Sequence, residues 1–316
     1  MGKIDGWQFN DAALDDDVRK IQMAAQTRLA QTPLWTPESA RGIREARARG
    51  GGLYLPVYHS PRARMIEIPG PGGVVLLRVI APANPRGIYL HMHGGGWFMG
   101  GADLQDPRLE IIAERAQLAC VSVDYRLTPE HPYPAAPDDC EAAALWILAN
   151  AEAEFGTEIV TIGGESSGAH LALVTLLRLR DKHAIVLAGA NLIFGFFDLT
   201  LTPSARMFGD DRIAPRTTDL RSYVRAFAPK GELTAPDISP LYADLKNLCP
   251  ALFTVGTQDP LLDDSLFMYM RWLSSGNDGE LAVYAGGIHN FIAFPSRIAQ
   301  EAEDRAIAFL KHVSCQ

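Results

Sequence analysis

Cysteine is scarce in this 316-residue chain, with only Cys120, Cys140, Cys249 and Cys315, widely scattered and with no CxxC among them. That excludes a disulfide framework, and a reducing compartment is the simplest setting. A surplus of positive charge is also missing. The chain carries 29 basic against 37 acidic residues, a net charge of −8, which argues against a protein that grips phosphate backbones. No apolar run is long enough to span a bilayer: the longest, 184–197, is broken by Asn191. The opening residues hold no apolar stretch before a small-residue cleavage site, and Gly6 stands where a myristoylation pattern needs Ser or Thr. No internal repeat or low-complexity tract occurs. The expectation is a cytoplasmic protein without nucleic-acid or membrane partners.

What is present is ordinary globular composition, 47% hydrophobic and 21% charged, in a chain long enough to bury a large core. Two helical stretches come first. Asn10 can cap one in which Leu14, Val18, Ile21 and Ala25 recur at helical spacing. Pro37 opens another, which carries Arg41, Arg44 and Arg47 and ends at Gly50-Gly51-Gly52; the arginine stripe reads as a solvated face, with a partner or substrate-entry role the minor alternative. From Val74 the texture changes. Strands are expected at 74–80, 86–92, 119–125, 158–163, 184–190, 251–256 and 280–285, with helices near 105–117, 136–150, 167–180, 262–274 and 295–312. Apolar strands alternating with helices imply an α/β fold with a largely parallel sheet covered on both faces. Only the interval 196–248 breaks the rhythm. It offers one helical piece near 217–227 and many prolines, too long for a simple crossover, and reads as an insertion over the strands' C-terminal ends.

The sharpest local signal is Gly164-Glu165-Ser166-Ser167-Gly168, which follows an expected strand and opens an expected helix. Flanking glycines permit a turn tight enough to push the Ser166 side chain out above the sheet, as a nucleophile elbow requires. A glycine-rich turn with an ordinary serine is the competing interpretation. A second signal, His93-Gly94-Gly95-Gly96-Trp97, leaves backbone N–H groups uncovered near a strand end, where they can meet an oxyanion. A flexible loop or a phosphate site would look similar, although no phosphate-loop spacing follows. His91 and His93 alternate onto one strand face with no third ligand in view, so no metal is expected. His289 lies in a loop directly after the strand at 280–285, and Asp259 directly after that at 251–256; Asp263 and Asp264 compete with it but fall inside the next helix. The order Ser166, Asp259, His289 is that of an α/β-hydrolase triad. The proline-rich loop with Pro129, Pro132 and Pro134 reads as a rigid support beneath the glycines.

Together HGGGW, YRLTPEHPYPAAPDD (125–139), GESSG, DPLLDD and HNF resemble the signature set of the hormone-sensitive-lipase-like bacterial carboxylesterases, over roughly 86–291. The resemblance implies an α/β-hydrolase fold, a mostly parallel central sheet flanked by helices and topped by a helical cap. It divides the chain into a catalytic domain (53–195 and 249–316), an N-terminal part of the cap (1–52) and an inserted cap segment (196–248). It implies Ser166 as nucleophile, Asp259 as acid and His289 as base, with an oxyanion hole from the N–H groups of Gly95, Gly96 and Ser167. The implied reaction is hydrolysis of short- to medium-chain carboxylic esters through an acyl-enzyme, without a cofactor, on a small-molecule ester substrate, in a family where homodimers are common. GESSG departs from the GDSAG of many members but keeps the acid and the following N–H; His91 is a further variation. Trp97, Phe196 and Phe197 are candidate substrate-binding residues, as are Phe98, Met99 and Phe208, with core packing as the alternative for at least half. An amidase, deacetylase or lactonase could use the same triad. A non-enzymatic ligand-binding member of the fold is the reading from another class, and the presence of all three triad residues weighs against it.

Overall fold

Residues 14, 16–30, 35–50, 57–210 and 215–315 are described by the computed structural model. In chain order the strands are β1 (Arg64–Gly70), β2 (Gly73–Ile80), β3 (Gly87–Met92), β4 (Leu118–Asp124), β5 (Val160–Glu165), β6 (Gly189–Ile193), β7 (Ala251–Gln258) and β8 (Gly279–Ile288). They form one sheet of order β1-β2-β4-β3-β5-β6-β7-β8. From β4 to β8 every neighbour is parallel, whereas β1, β2 and β4 pair antiparallel. The helices are α1 (Asp16–Ala30), α2 (Ala40–Ala48), α3 (Asp106–Ala116), α4 (Ala135–Phe155), α5 (Ser167–His183), α6 (Pro203–Met207), α7 (Thr217–Phe227), α8 (Leu262–Ser274) and α9 (Arg297–Val313).

Strand alternation sorts the core onto two faces. In β3, Ile88 and Leu90 join a cluster with Cys140 of α4, Leu171 of α5 and Trp272 of α8. Tyr89 points the other way, into a cluster with Leu109 and Ile112 of α3 and Leu310 of α9. With both faces covered, every residue of β3 and β5 is buried, which explains their unbroken apolar runs.

Two strands depart from the sequence expectation. β1 was not expected: it lies at the sheet edge, largely exposed, and contains Glu67 and Pro69, so it lacks an apolar signal. β6 starts at Gly189, five residues beyond the expected start at Ala184. Ala184 instead adopts the left-handed conformation (φ 56°) and closes α5. Gly189 admits the neighbouring α9, since a Cβ there would lie 2.7 Å from Val313 Cγ2.

The stretch between β6 and β7 contains α7 over the expected residues and a short helix, α6, begun by Pro203. Its start is tied to α8 by Asp264, which is fully buried and accepts the N–H groups of Phe197 and Asp198 at 2.7 and 2.8 Å and the Thr202 hydroxyl at 2.6 Å. Asp263 accepts Ser204 N–H at 2.8 Å. These two carboxylates therefore anchor the start of the excursion to α8.

At the N-terminal side, Val18 and Ala25 of α1 are buried, and Gln22 Nε2 donates to Gly286 O at the end of β8, at 2.9 Å. Asn10, the expected cap, and Gly51 and Gly52 lie outside the described residues. Pro37 opens a short 3-10 turn leading into α2, and Gly50 (φ 61°) ends it. The arginine stripe of α2 divides by position. Arg41 is exposed beside Glu45, Arg44 donates to Phe98 O and Thr128 O and pairs with Glu130, and Arg47 reaches the cavity wall beside Met99. A solvated face describes only Arg41. No helix among the described residues is long and apolar enough to cross a membrane.

Candidate active site

Ser166 sits at the turn from β5 into α5 with φ 56° and ψ −118°, a conformation that costs a non-glycine residue about 1–3 kcal/mol. The surroundings enforce it. Ser166 N–H donates to Ile193 O at 2.9 Å. A Cβ at Gly164 would lie 2.2 Å from Met92 O, and one at Gly168 2.0 Å from the same oxygen. Both glycines are thus required by backbone pressed against the end of β3, and the serine side chain is left to project from the sheet.

Two later strand ends complete the constellation. Asp259 follows β7 and is 2% exposed; its Oδ1 accepts the N–H of Leu261 at 2.8 Å, which orients the carboxylate. His289 follows β8. Its Nδ1 lies 3.0 and 2.9 Å from the two Asp259 oxygens, and its Nε2 lies 3.0 Å from Ser166 Oγ. Phe194 packs edge-on against the ring, with centroids 4.9 Å apart. The geometry suits proton transfer from a hydroxyl to an imidazole whose other nitrogen is held by a carboxylate.

The glycine loop stands beside the serine. Gly95 and Gly96 have φ of 127° and 60°, and a Cβ at Gly95 would lie 2.1 Å from Met99 O. The loop's position is set by the segment after β4: Thr128 N–H donates to Trp97 O at 2.9 Å, Tyr125 O–H to His93 O at 2.7 Å, and Arg126 holds Asp139 with two 2.8 Å bonds. Gly95, Gly96 and Ser167 line the same cavity as Ser166, so backbone donors can converge on an oxygen there.

A polar network underlies the elbow. Glu165, the residue before the serine, is 6% exposed; it receives a bond from Arg108 Nη1 and contacts His91 Nε2 at 2.9 Å, while His91 Nδ1 lies 3.0 Å from Ser122 Oγ. Burial alone would raise the Glu165 carboxyl, but the attraction of His91 and Arg108 outweighs it and holds the pKa at about 2. The departure at His91 is thereby accounted for: it is a buried partner of Glu165. His93 stacks on Tyr125 at 4.2 Å, and burial lowers its pKa to about 4. Among the described residues no group of three or more His, Cys, Asp or Glu side chains is arranged to hold a metal.

The cavity has a volume of about 730 Å³. Of the aromatic candidates, Phe196 and also Met99 line it. Trp97 and Phe197 do not. Both are fully buried in the core, Trp97 (φ 61°) stacking on Phe227 at 4.5 Å and Phe197 facing Phe253. Phe98 packs with Trp35 and Tyr223, at centroid distances of 4.2 and 5.0 Å. Wall residues that the sequence did not single out are Phe194, Leu220, Tyr223, Ile292 and Arg108. Phe194 follows β6 directly, but the strand expected from the sequence ends at 190 and so misses it; the others come from α3, α7 and the turn after His289 and carried no signal.

A family model described as the α/β-hydrolase fold matches residues 89–293. The chain is 32% identical over 295 residues to the carboxylesterase NlhH of Mycobacterium tuberculosis, covering 86% of this chain and 90% of that protein. Among solved structures it is similar to a hyperthermophilic esterase from the archaeon Pyrobaculum calidifontis, with a TM-score of 0.84 and 27% identity over 94% of this chain and 98% of the other. It is also similar to EstE1, a thermophilic carboxylesterase from a metagenomic library, with a TM-score of 0.75 and 25% identity over 93% and 95% of the two chains.

Proposed function

Because this chain belongs to the α/β-hydrolase family, with the hormone-sensitive-lipase-like carboxylesterases, and is a carboxylic ester hydrolase, we propose that Ser166, His289 and Asp259 are its nucleophile, base and acid. The observation that carries the assignment is the unbroken bonded chain Ser166 Oγ, His289, Asp259, each member at the end of a different strand of the sheet. His289 Nε2 takes the proton as Ser166 Oγ attacks the ester carbonyl. Asp259 keeps the ring in the tautomer with a proton on Nδ1 and stabilises the imidazolium that forms. The oxyanion is met by the N–H groups of Gly95, Gly96 and Ser167, each worth about 3–4 kcal/mol of barrier because the donors are already in place. His289 then protonates the leaving alcohol, and water attacks the acyl-enzyme with His289 again as base.

The substrates are small-molecule esters with short to medium acyl chains, in keeping with a cavity of about 730 Å³ walled by Phe194, Phe196, Leu220 and Tyr223. Segments 1–52 and 196–248 act as the cap over a catalytic domain of 53–195 and 249–316; Arg47, Leu220 and Tyr223 from these segments reach the cavity. No cofactor takes part, and the enzyme works in the cytoplasm without nucleic-acid or membrane partners.

Ser166→Ala tests the central assignment. Hydrolysis of p-nitrophenyl butyrate should fall by about 10⁶-fold, as expected when the attacking group of a triad is lost, with the circular-dichroism spectrum unchanged. Wild-type turnover in that variant would sink the proposal.

A further inference from the structure

The chemistry proposed for Ser166, His289 and Asp259 makes no use of Arg108, yet Arg108 is on the wall of their cavity. It belongs to α3, and its neighbours on the α3 and α9 side include the polar residues Gln105 and Glu303. The lining from α7 and from the segment after β6 is instead apolar: Phe194, Phe196, Leu220 and Tyr223. The cavity is therefore largely apolar, with Gln105, Arg108 and Glu303 set among Leu104, Pro107, Ile111 and Ala302 on the α3 and α9 side. Arg47 of α2 is a second cation on the wall, but it lies with Met99 at the glycine loop.

A guanidinium offers five N–H donors in one plane. Among the described residues the only partner of the Arg108 guanidinium is Glu165, bonded through Nη1. The side chain is 18% exposed and none of its unpaired nitrogens is fully buried, so its remaining donors are open to a ligand in the cavity. A ligand oxygen that displaces water from a charged donor in a partly enclosed cavity gains a charge-assisted hydrogen bond there. Since Glu165 immediately precedes Ser166, its bond to Arg108 fixes these donors close to the reacting centre.

We infer that Arg108 is a specificity-determining residue that donates to a neutral oxygen, such as a keto, ether or hydroxyl oxygen, on one arm of the ester substrate. The inference rests on the reading of Ser166 as nucleophile. A neutral acceptor is preferred over a carboxylate because Glu165 already balances the charge of Arg108, and Glu303 stands on the same wall. The substrate class is thus an oxygen-bearing ester with one apolar arm, rather than a plain alkyl ester.

Two matched series test this. In the first, p-nitrophenyl hexanoate is compared with its 4-oxo and 5-oxo analogues; in the second, butyl butyrate is compared with 3-oxobutyl and 2-methoxyethyl butyrate. The readout is the ratio of kcat/KM, oxygenated over plain, in wild type, Arg108→Met and Arg108→Lys. Comparing enzymes at fixed substrate cancels intrinsic reactivity. In at least one series the ratio should fall about tenfold in Arg108→Met, the loss expected for one hydrogen bond from a charged donor. A purely structural role in holding Glu165 would slow all esters alike and leave the ratio unchanged. Should Arg108→Met not fold, Arg108→Lys carries the same comparison, because it keeps a cation for Glu165 but loses the planar fork. Ratios within twofold of wild type in both series overturn the inference, and so does a wild-type preference for a hemisuccinate ester over its keto counterpart. Hydrolysis of p-nitrophenyl hexanoate that survives Ser166→Ala would instead bring down the nucleophile assignment.

Discussion

At Glu165 a carboxylate is kept ionised in the interior, with a pKa held at about 2. An unfolded chain would titrate it near 4.5. The folded state therefore binds the proton more weakly, so the stabilisation is complete above pH 4.5 and disappears as the pH falls from there through 2. The difference corresponds to about 3 kcal/mol. In urea unfolding between pH 7 and pH 2, Glu165→Gln should flatten this acid limb relative to wild type; parallel curves would show that another group sets the acid response. The turn of the proposed nucleophile beside Glu165 was legible in the sequence for a steric reason: a serine forced into a left-handed turn needs glycine at 164 and 168, and such spacing is visible without coordinates. The cavity wall was not legible. Trp97 adjoins the glycine loop in sequence, but its left-handed backbone sends the ring onto Phe227. Arg108 reads in sequence as an ordinary first-turn helix residue, and only the packing of α3 brings it to Glu165.

Among the elements, those buried on two sides declared themselves most clearly. β3 and β5 are continuous apolar runs because helices cover both faces, whereas β1, with one outer edge and little burial, left no such trace. β6 was displaced in the expectation because Ala184 to Leu187 is as apolar as a strand; what ends α5 there is backbone conformation, which an apolar pattern does not record. Asp264 makes the larger share of the bonds that anchor the start of the excursion after β6, and Asp264→Ala should show it. Two backbone N–H groups and the Thr202 hydroxyl would lose their buried acceptor, at a cost of about 3 kcal/mol or more. Because Phe196 adjoins the freed residues and lines the cavity, KM for p-nitrophenyl butyrate should rise along with the loss of stability. Chemical denaturation and steady-state kinetics read the two effects, and a change in stability with KM unmoved would separate the anchor from the site.

Across the whole molecule, the proposed catalytic groups are shared unevenly by the sheet. Ser166 leaves β5, which has a neighbour on each side, but His289 leaves β8, an edge strand whose only strand partner among the described residues is β7. The end of β8 is braced from outside by α1: Gln22 donates to Gly286 O, and a Cβ at Gly286 would lie 2.6 Å from both Leu14 Cδ2 and Val18 Cγ1. A border strand with one partner opens at lower cost than an interior one. Warming should consequently disarm the enzyme before it melts: turnover of p-nitrophenyl butyrate is expected to fade several degrees below the loss of far-ultraviolet ellipticity. Val18→Ala, which loosens the brace, should widen that gap. On that expectation the margin of the sheet is a fuse: His289 would leave the site while the turn that carries Ser166 stays intact.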